Sequence, residues 1–233
     1  MITHDLQQKA TPSLTDKTHL WARLCVVALL TCLVVVGLAG CASDADAAKN
    51  AVSDSLSQFA PKEENEEALQ NLINNEQFST LGVDVSALVK TWLTDYKFEV
   101  GDASVSEDGM SATVQAKVTS KQLLSALDAW GIDYTSYASQ AAYDGTSAAD
   151  IAQTAGQMLM TKCDELEPVE SEISVSLVKQ AFEKDTDNPV DMPAENERNT
   201  VDVRWVLDSP GQAAILTAVL GAADYLDEAG AQE

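Results

Sequence analysis

Histidine is nearly absent from this sequence of 233 residues. The two that it has, His4 and His19, both lie ahead of residue 20, and the rest of the chain has none. Residues 20–233 therefore cannot form a Ser-His-Asp or Cys-His catalytic arrangement, and they cannot supply histidine ligands to zinc or iron. The absence of one residue type excludes much of hydrolase and metalloenzyme chemistry.

Cysteine is scarce as well, and its four positions are Cys25, Cys32, Cys41 and Cys163. They lack the recurring spacing of a disulfide framework, and the first two lie inside an apolar run. Cys163 ends an amphipathic pattern, where a lone cysteine is most often a small buried hydrophobe. The two acidic residues that follow it disfavour a thiolate. The sequence thus predicts an unreactive Cys163, and Cys41 is left to be explained.

Positive charge is also limited, with 14 lysines and arginines against 37 aspartates and glutamates and a net charge of -23. From residue 41 onward the chain holds 11 basic and 35 acidic side chains. Such a surface repels phosphate backbones and anionic headgroups, so we expect no nucleic-acid partner and no membrane attachment through a basic patch. The acidity is interpreted as solubility in an exposed compartment.

Short motifs for phosphate, penicillin-type and calcium chemistry are missing or incomplete. No glycine-rich phosphate loop is present. Residues 176–179 spell S-x-x-K, but they fall in a strand pattern where that motif needs the start of a helix. Asp185 to Asp191 resembles the opening of a calcium loop, yet Pro189 breaks its geometry and Val190 replaces the required glycine. We therefore expect an acidic hairpin loop, no metal site and no bound cofactor.

Residues 24–38 form an uncharged apolar run of 15, preceded by Lys17 and Arg23. A transmembrane helix needs about 20 such residues, whereas the run fits the core of a signal peptide. The sequence that follows it, Leu38-Ala39-Gly40-Cys41, resembles the lipobox of bacterial lipoproteins. That motif is a branched aliphatic residue, two small residues and a cysteine.

The lipoprotein resemblance implies a covalent modification. In that family a transferase places diacylglycerol on the cysteine sulfur, and a peptidase then cuts before the cysteine, here between Gly40 and Cys41. Residues 1–40 would be the signal peptide and residues 41–46 a short tether. Diacylglycerol on Cys41 would hold the protein on the extracellular face of the cell membrane, since two acyl chains give stable anchoring.

Two alternatives to lipid anchoring stay open. An uncleaved single-pass anchor could recruit Trp21 and Ala22 to reach spanning length. An ordinary signal peptide could be cut elsewhere, although that gives no reason for a cysteine at the end of the run.

The first part of the remaining chain reads as three helices and a hairpin. Apolar residues recur at helical spacing over 46–59 and again over 63–78, and Asp84 can cap a third helix that starts at Val85. Strict alternation of apolar and polar residues then predicts two strands, 98–105 and 112–118. They are joined by a turn at Glu107-Asp108-Gly109.

The second part predicts further helices around a second hairpin. Ser120 is expected to cap a helix over 121–130 and Ser147 a helix over 148–163, while the stretch 134–145 stays unassigned. Alternation predicts strands at 173–177 and 201–207. Ser209 is expected to cap the last helix, with Pro210 in its first turn. That helix is apolar on nearly all sides, so we expect it to be buried.

These elements predict one α+β domain over residues 47–233. An antiparallel sheet of about four strands, made of two hairpins, would pack against several helices, with a helical insertion at about 120–165. The order around YKFEVGDASVSEDGMSATVQAKVTS resembles the cystatin-like, nuclear-transport-factor-2-like domains of Gram-positive surface lipoproteins. The resemblance covers roughly Val85 to Leu207 and departs from the family at the insertion.

Domains of the resembled class often leave a pocket between sheet and helices. The side chains that could line it here are Trp92, Tyr96, Trp130, Tyr134, Tyr137 and Trp205. Packing of the same aromatics in the core is the alternative. The sequence favours a lipid-anchored binding or accessory module, with an unnamed ligand or partner. A small enzyme that uses carboxylates and tyrosines in the pocket is the second interpretation.

Overall fold

The computed structural model describes residues 43–221 except 74–77 and 79. The predicted signal peptide, the cleavage site at Gly40 and Cys41, and the end of the chain after residue 221 lie outside the described residues. Within those residues, none of the helices is both long and apolar enough to cross a bilayer.

Helices and antiparallel strands alternate in blocks, which confirms the predicted α+β class. The helices are α1 (Asp44–Ser57), α2 (Glu63–Ile73), α3 (Val85–Leu93), α4 (Leu123–Tyr143), α5 (Ala148–Asp164) and α6 (Ser209–Leu220). The strands are β1 (Lys97–Val105), β2 (Ser111–Ser120), β3 (Val169–Glu183), β4 (Pro189–Val190) and β5 (Val201–Leu207). A short 3₁₀ helix, Glu195–Thr200, precedes β5. The insertion between β2 and β3 is the helical pair α4 and α5.

The described strands form one antiparallel sheet in the order β1-β2-β3-β5. Phe98 faces Val118 across the first hairpin, and Leu177 faces Leu207 across the second. Both predicted hairpins are confirmed. Strand β3 is 15 residues long and joins them, pairing with β2 along its first part and with β5 along its last. The two-residue β4 also pairs with the end of β3.

The sheet has an apolar inner face and a polar outer face, because successive side chains of a strand point to opposite sides. Val114, Val118 and Val175 on the inner face have no exposed surface. Their core cluster takes in buried side chains of α1, α3, α4, α5 and α6. Thr113 and Gln115, on the alternate positions, are exposed. The helices therefore cover one side of the sheet.

Helix α1 begins only three residues after Cys41. Ser43 is its N-cap, with the hydroxyl oxygen accepting from the Asp46 N–H at 3.2 Å. Residues 44–46 of the predicted tether are thus already helical. Ala48, Val52 and Leu56 recur at helical spacing and are fully buried. The helix is therefore an integral part of the core.

The predicted cap of α4 is wrong. Ser120 is the last residue of β2, and its buried hydroxyl donates to the Val219 carbonyl at 2.8 Å. Gln122 occupies the cap position, and α4 continues through the unassigned stretch to Tyr143. The predicted cap of α5 is confirmed, since the Ser147 hydroxyl accepts from the Asp150 N–H.

The predicted cap of α6 is off by one residue. Asp208 is the N-cap, and its carboxylate accepts from the Gly211 N–H at 2.8 Å and from the Ser176 hydroxyl. Ser209 is instead the first helical residue. The helix is largely buried, as expected. It ends at Leu220, before Gly221 in the left-handed region at φ 87°.

Candidate functional site

Asp44, Lys179 and Trp205 meet where the β1–β2 hairpin ends, and we name them the Lys179 cluster. The Lys179 ammonium lies 2.8 Å from a carboxylate oxygen of Asp44 and 5.0 Å from the centroid of the Trp205 ring. Its side chain is only 18% exposed. The cluster therefore joins the start of α1, the end of β3 and the middle of β5 through one partly desolvated charge.

Strand register explains this meeting. Lys179 and Trp205 are direct cross-strand partners. Strand β2 starts opposite Val178, so Lys179 lies just beyond its first residue. The first turn of α1 covers this end of the inner face, where Asp44 supplies the opposite charge. Sequence reasoning missed the cluster. The available signal was a lysine at the inner-face position that follows Val175 and Leu177.

Trp205 carries an unsatisfied polar atom. Its side chain is 5% exposed, and among the described residues its indole N–H has no hydrogen-bond partner. A buried donor without a partner costs about 1–3 kcal/mol. The Lys179 ammonium above the ring offsets part of this free-energy cost, because a cation over an indole face is attracted by about 1 kcal/mol or more.

Trp92 and Tyr96, two of the six residues expected to line a pocket, lie together around Phe59. The ring centroids of both are 6.2 Å from that of Phe59. The Trp92 N–H donates to the Val219 carbonyl at 3.4 Å, and the Tyr96 hydroxyl to the Leu56 carbonyl at 2.8 Å. Burial raises the pKa of the Tyr96 hydroxyl. Tyr96 therefore holds α1 to the sheet and keeps its proton.

Trp130 and Trp205 have different neighbours from that pair. The Trp130 N–H donates to the Ala155 carbonyl at 2.8 Å, which ties α4 to α5, and its ring stacks on Tyr134 at 5.2 Å. Trp205 belongs to the Lys179 cluster. Four of the six expected pocket residues, Trp92, Tyr96, Trp130 and Trp205, are members of the hydrophobic core cluster, and Tyr134 packs against it. The structure brings together Trp92 and Tyr96, and the pocket itself stays a prediction.

Cys163 is buried at the end of α5, with 1% of its surface exposed. Burial, and secondarily the charge of Asp164, raise the pKa of its thiol to about 12. A thiol with that pKa is almost entirely protonated at neutral pH, and the thiolate is the reactive form. This environment is that of a structural cysteine.

We expect Cys163 to resist alkylation and to make stability fall at high pH. The folded thiol has a pKa of about 12 against an ordinary value of 9.0, so its contribution is fully present below pH 9 and is lost as pH rises towards 12. The loss approaches about 1.4 kcal/mol per pH unit. Denaturant titrations at pH 8.5 and 10.5 should show a steeper loss for the unsubstituted chain than for Cys163→Ala. Equal losses would contradict this environment.

The acidic stretch 185–191 lies between β3 and β5. Its polar groups form hydrogen bonds with residues of β5. Arg204 on β5 donates to the Asp187 carboxylate at 2.8 Å and to the Thr186 carbonyl at 3.1 Å. Asp202 accepts from the Asp185 N–H at 3.1 Å. No group of three or more potential ligands among the described residues could hold a metal ion. Its residues 185–188 lie in the turn from β3 into β4, and Pro189 and Val190 form β4 itself.

The S-x-x-K sequence at 176–179 does not form a catalytic pair. Both residues lie on β3, and residues three apart on a strand point to opposite faces. The Ser176 hydroxyl donates to Asp208, whereas Lys179 pairs with Asp44. The strand geometry explains why this motif is a chance match.

The outer face of β1, β2 and β3 is an open polar surface. Its exposed side chains include Glu99, Thr113, Gln115, Glu172 and Ser174. Ser174 donates to the Gln115 side-chain carbonyl at 3.0 Å, across the two strands. Hydroxyls and amides can both donate and accept hydrogen bonds, and carboxylates accept them. This face is therefore a surface on which the described domain could recognise a polar partner.

Comparison of the chain with models of protein families, with curated proteins and with solved structures finds no match. Any function assigned to it therefore has to come from its own residues. These are the cysteine at the end of the apolar run, the helix that begins beside it, and the polar face of the sheet.

Proposed function

We propose that this protein is a lipoprotein, acylated on Cys41 and held on the outer face of the cell membrane, whose domain serves as a binding or accessory module. The observation that carries the proposal is the position of Leu38-Ala39-Gly40-Cys41 between an uncharged run and a folded domain. The apolar run ends at Leu38, and a capped helix begins at Asp44. A lipid-bearing cysteine accounts for the change from an apolar segment to a folded domain within so few residues.

The energetics of anchoring agree with the surface charge. Each buried methylene of an acyl chain contributes about 0.8 kcal/mol, so two chains on Cys41 hold the protein without help from basic residues. The chain from residue 41 onward carries 35 acidic and 11 basic side chains. A protein with this surface needs covalent lipid to stay at an anionic membrane.

Support for a binding or accessory module comes from the outer face of the sheet. Its polar side chains are exposed, and Lys117 there pairs with Glu170 and Glu172 at 3.2 and 3.4 Å. The buried Tyr96 hydroxyl is committed to the Leu56 carbonyl. It is therefore a structural contact and not an available acid or base, which favours binding over the enzyme alternative.

Substituting Cys41 is the direct test. In the producing bacterium, Cys41→Ala should abolish incorporation of labelled palmitate and leave an unprocessed precursor, because alanine has no sulfur for the thioether. Cys32→Ala is the matched control, since it removes a cysteine from the same segment and should keep both label and processing. Label, chain mass and membrane fractionation are measured together.

Two patterns of results would overturn the assignment. The anchor would be an uncleaved helix if the unsubstituted chain took up no palmitate and Cys41→Ala remained in the membrane fraction at full length. A processed, unsubstituted chain that took up no palmitate and was released from the membrane would indicate an ordinary signal peptide cut elsewhere.

A further inference from the structure

We infer that the domain stands on the membrane in one orientation, with the β1–β2 turn and the first turn of α1 facing the lipid headgroups. This end of the domain, which we call the anchor end, comprises Ser43, Asp44, the turn at 107–109 and Lys179, and β3 continues beyond Lys179 to Glu183 on the same side. The inference rests on the proposed acylation of Cys41. Beyond the acylation itself, the inference specifies which surface of the domain meets the bilayer. It also states that the domain does not rotate freely about its tether.

The first step is the reach of the chain. A residue spans at most about 3.6 Å, so the Cα atom of Asp44 lies within about 11 Å of that of Cys41. The acylated sulfur must lie near the boundary of the hydrocarbon core, and each headgroup layer is about 5–7 Å deep. Asp44 is therefore held in the headgroup layer or directly above it.

The second step is the attachment of α1 to the sheet. Ser43 caps the helix, and Asp44 pairs with Lys179 at 2.8 Å. Ala48 and Val52, one and two turns further on, are fully buried in the core. A helix held at its first residue and along its apolar face cannot rotate independently of the sheet. The short tether therefore constrains the whole domain.

The third step places the β1–β2 turn beside the same residues. A Cβ atom added at Gly109 would lie 3.8 Å from an Asp44 carboxylate oxygen and 4.0 Å from the Lys179 ammonium. The turn thus lies at the anchor end. Strand β1 runs to this turn from Lys97, and the eight steps from Lys97 to Val105 span about 26 Å. The start of β1 consequently marks the opposite end of the sheet.

The charges at the anchor end do not attract it to an anionic membrane. Glu107 and Asp108 are exposed, and the Lys179 ammonium is paired with Asp44. Anionic lipids repel such a surface, so the covalent link rather than electrostatic attraction sets its direction. The partner that fits this end is a largely zwitterionic headgroup surface.

Energy transfer from two positions on the sheet to the membrane surface tests the orientation. The acylated chain is labelled with a donor dye through Glu107→Cys or Lys97→Cys, both at exposed positions. It is bound to phosphatidylcholine vesicles that carry an acceptor dye on their headgroups. We expect several-fold faster transfer from position 107 than from position 97. Cys163 does not interfere, because it is buried.

A longer tether is the matched control. A flexible Gly-Ser insertion of about 12 residues after Ala42 spans about 20 Å, so it should remove most of the difference between the two positions while acylation is kept. Equal transfer from both positions in the acylated chain with its own tether, or faster transfer from position 97, would overturn the orientation and leave the lipoprotein assignment standing. A chain whose mass shows no acyl group would overturn both.

Discussion

Gly211→Ala is expected to destabilise the domain by about 3 kcal/mol or more, although alanine is the better helix former by about 1 kcal/mol. Gly211 lies in the first turn of α6, where the helix crosses β3. A Cβ atom there would lie 2.1 Å from the Ser176 carbonyl oxygen and 3.1 Å from its carbon. Real atoms do not approach so closely, and both partners are backbone. The helix must therefore move away from the strand.

The movement would be costly because α6 is tied down at both ends. Asp208 bonds Ser176 at its start, and the Val219 carbonyl accepts from Ser120 and Trp92 near its end. Displacing the helix strains these contacts and opens the core.

Thermal and denaturant unfolding of Gly211→Ala, followed by circular dichroism, measures this effect. Ala213→Gly is the matched control, because it reverses the substitution in the same helix at a partly buried position. Its expected loss is about 1 kcal/mol from helix propensity alone. If Gly211→Ala were as stable as the unsubstituted domain, α6 could not lie as close to β3 as described.

Trp92→Ala is the second large effect, with an expected loss of about 3–5 kcal/mol. Trp92 is 1% exposed and packs edge-on against Phe59. The substitution removes the indole and leaves the Val219 carbonyl with one donor fewer. Trp92→Phe keeps most of the ring and loses the N–H, so it should cost roughly half as much or less.

This experiment also distinguishes core packing from a pocket wall. A ring that lined an open pocket would already be exposed on one side, and its removal would cost little stability. Tyr143→Ala is the control for an exposed aromatic, since Tyr143 is 87% exposed and its loss should stay within about 0.5 kcal/mol. Similar stabilities for Trp92→Ala and Tyr143→Ala would contradict the core assignment.

The hairpins were predictable because their signal is local. Alternating valines and alanines on 112–118 define a half-buried strand whatever surrounds them, and the turn at 107–109 sets the first register. The α+β class follows from the block order of such elements. Strand ends were less predictable. β3 extends to Glu183, where it pairs with Val201, because β5 returns beside it.

Helix starts depended on contacts that are distant in sequence. Asp208 and Ser209 can both cap a helix, and Asp208 does so while also accepting from Ser176 on another strand. Ser120 looked like a cap, but its hydroxyl is engaged by the Val219 carbonyl, 99 residues away. Local propensity cannot distinguish such cases.

The candidate functional residues likewise fall into those with a local sequence signal and those that only distant contacts bring together. Cys41 could be proposed as an acylation site from the sequence, because its signal is a motif in a defined position. The Lys179 cluster could not, since its three members come from distant parts of the chain and meet through strand register and the course of α1. The aromatic residues could be named as candidates from the sequence, but only the folded chain shows that Trp92 and Trp130 donate to backbone carbonyls within the core.

Strand β1 has one neighbour among the described strands, β2, so its other side is an edge of the sheet. Its register shifts between Val100 and Ala103, where Gly101 and Asp102 bulge out and are exposed. A bulge with a charge in it disfavours pairing with another strand. Copies anchored through Cys41 as proposed would share one plane and one height, so their β1 edges would meet repeatedly by lateral diffusion. The irregular edge would then keep neighbouring copies from pairing into a continuous sheet.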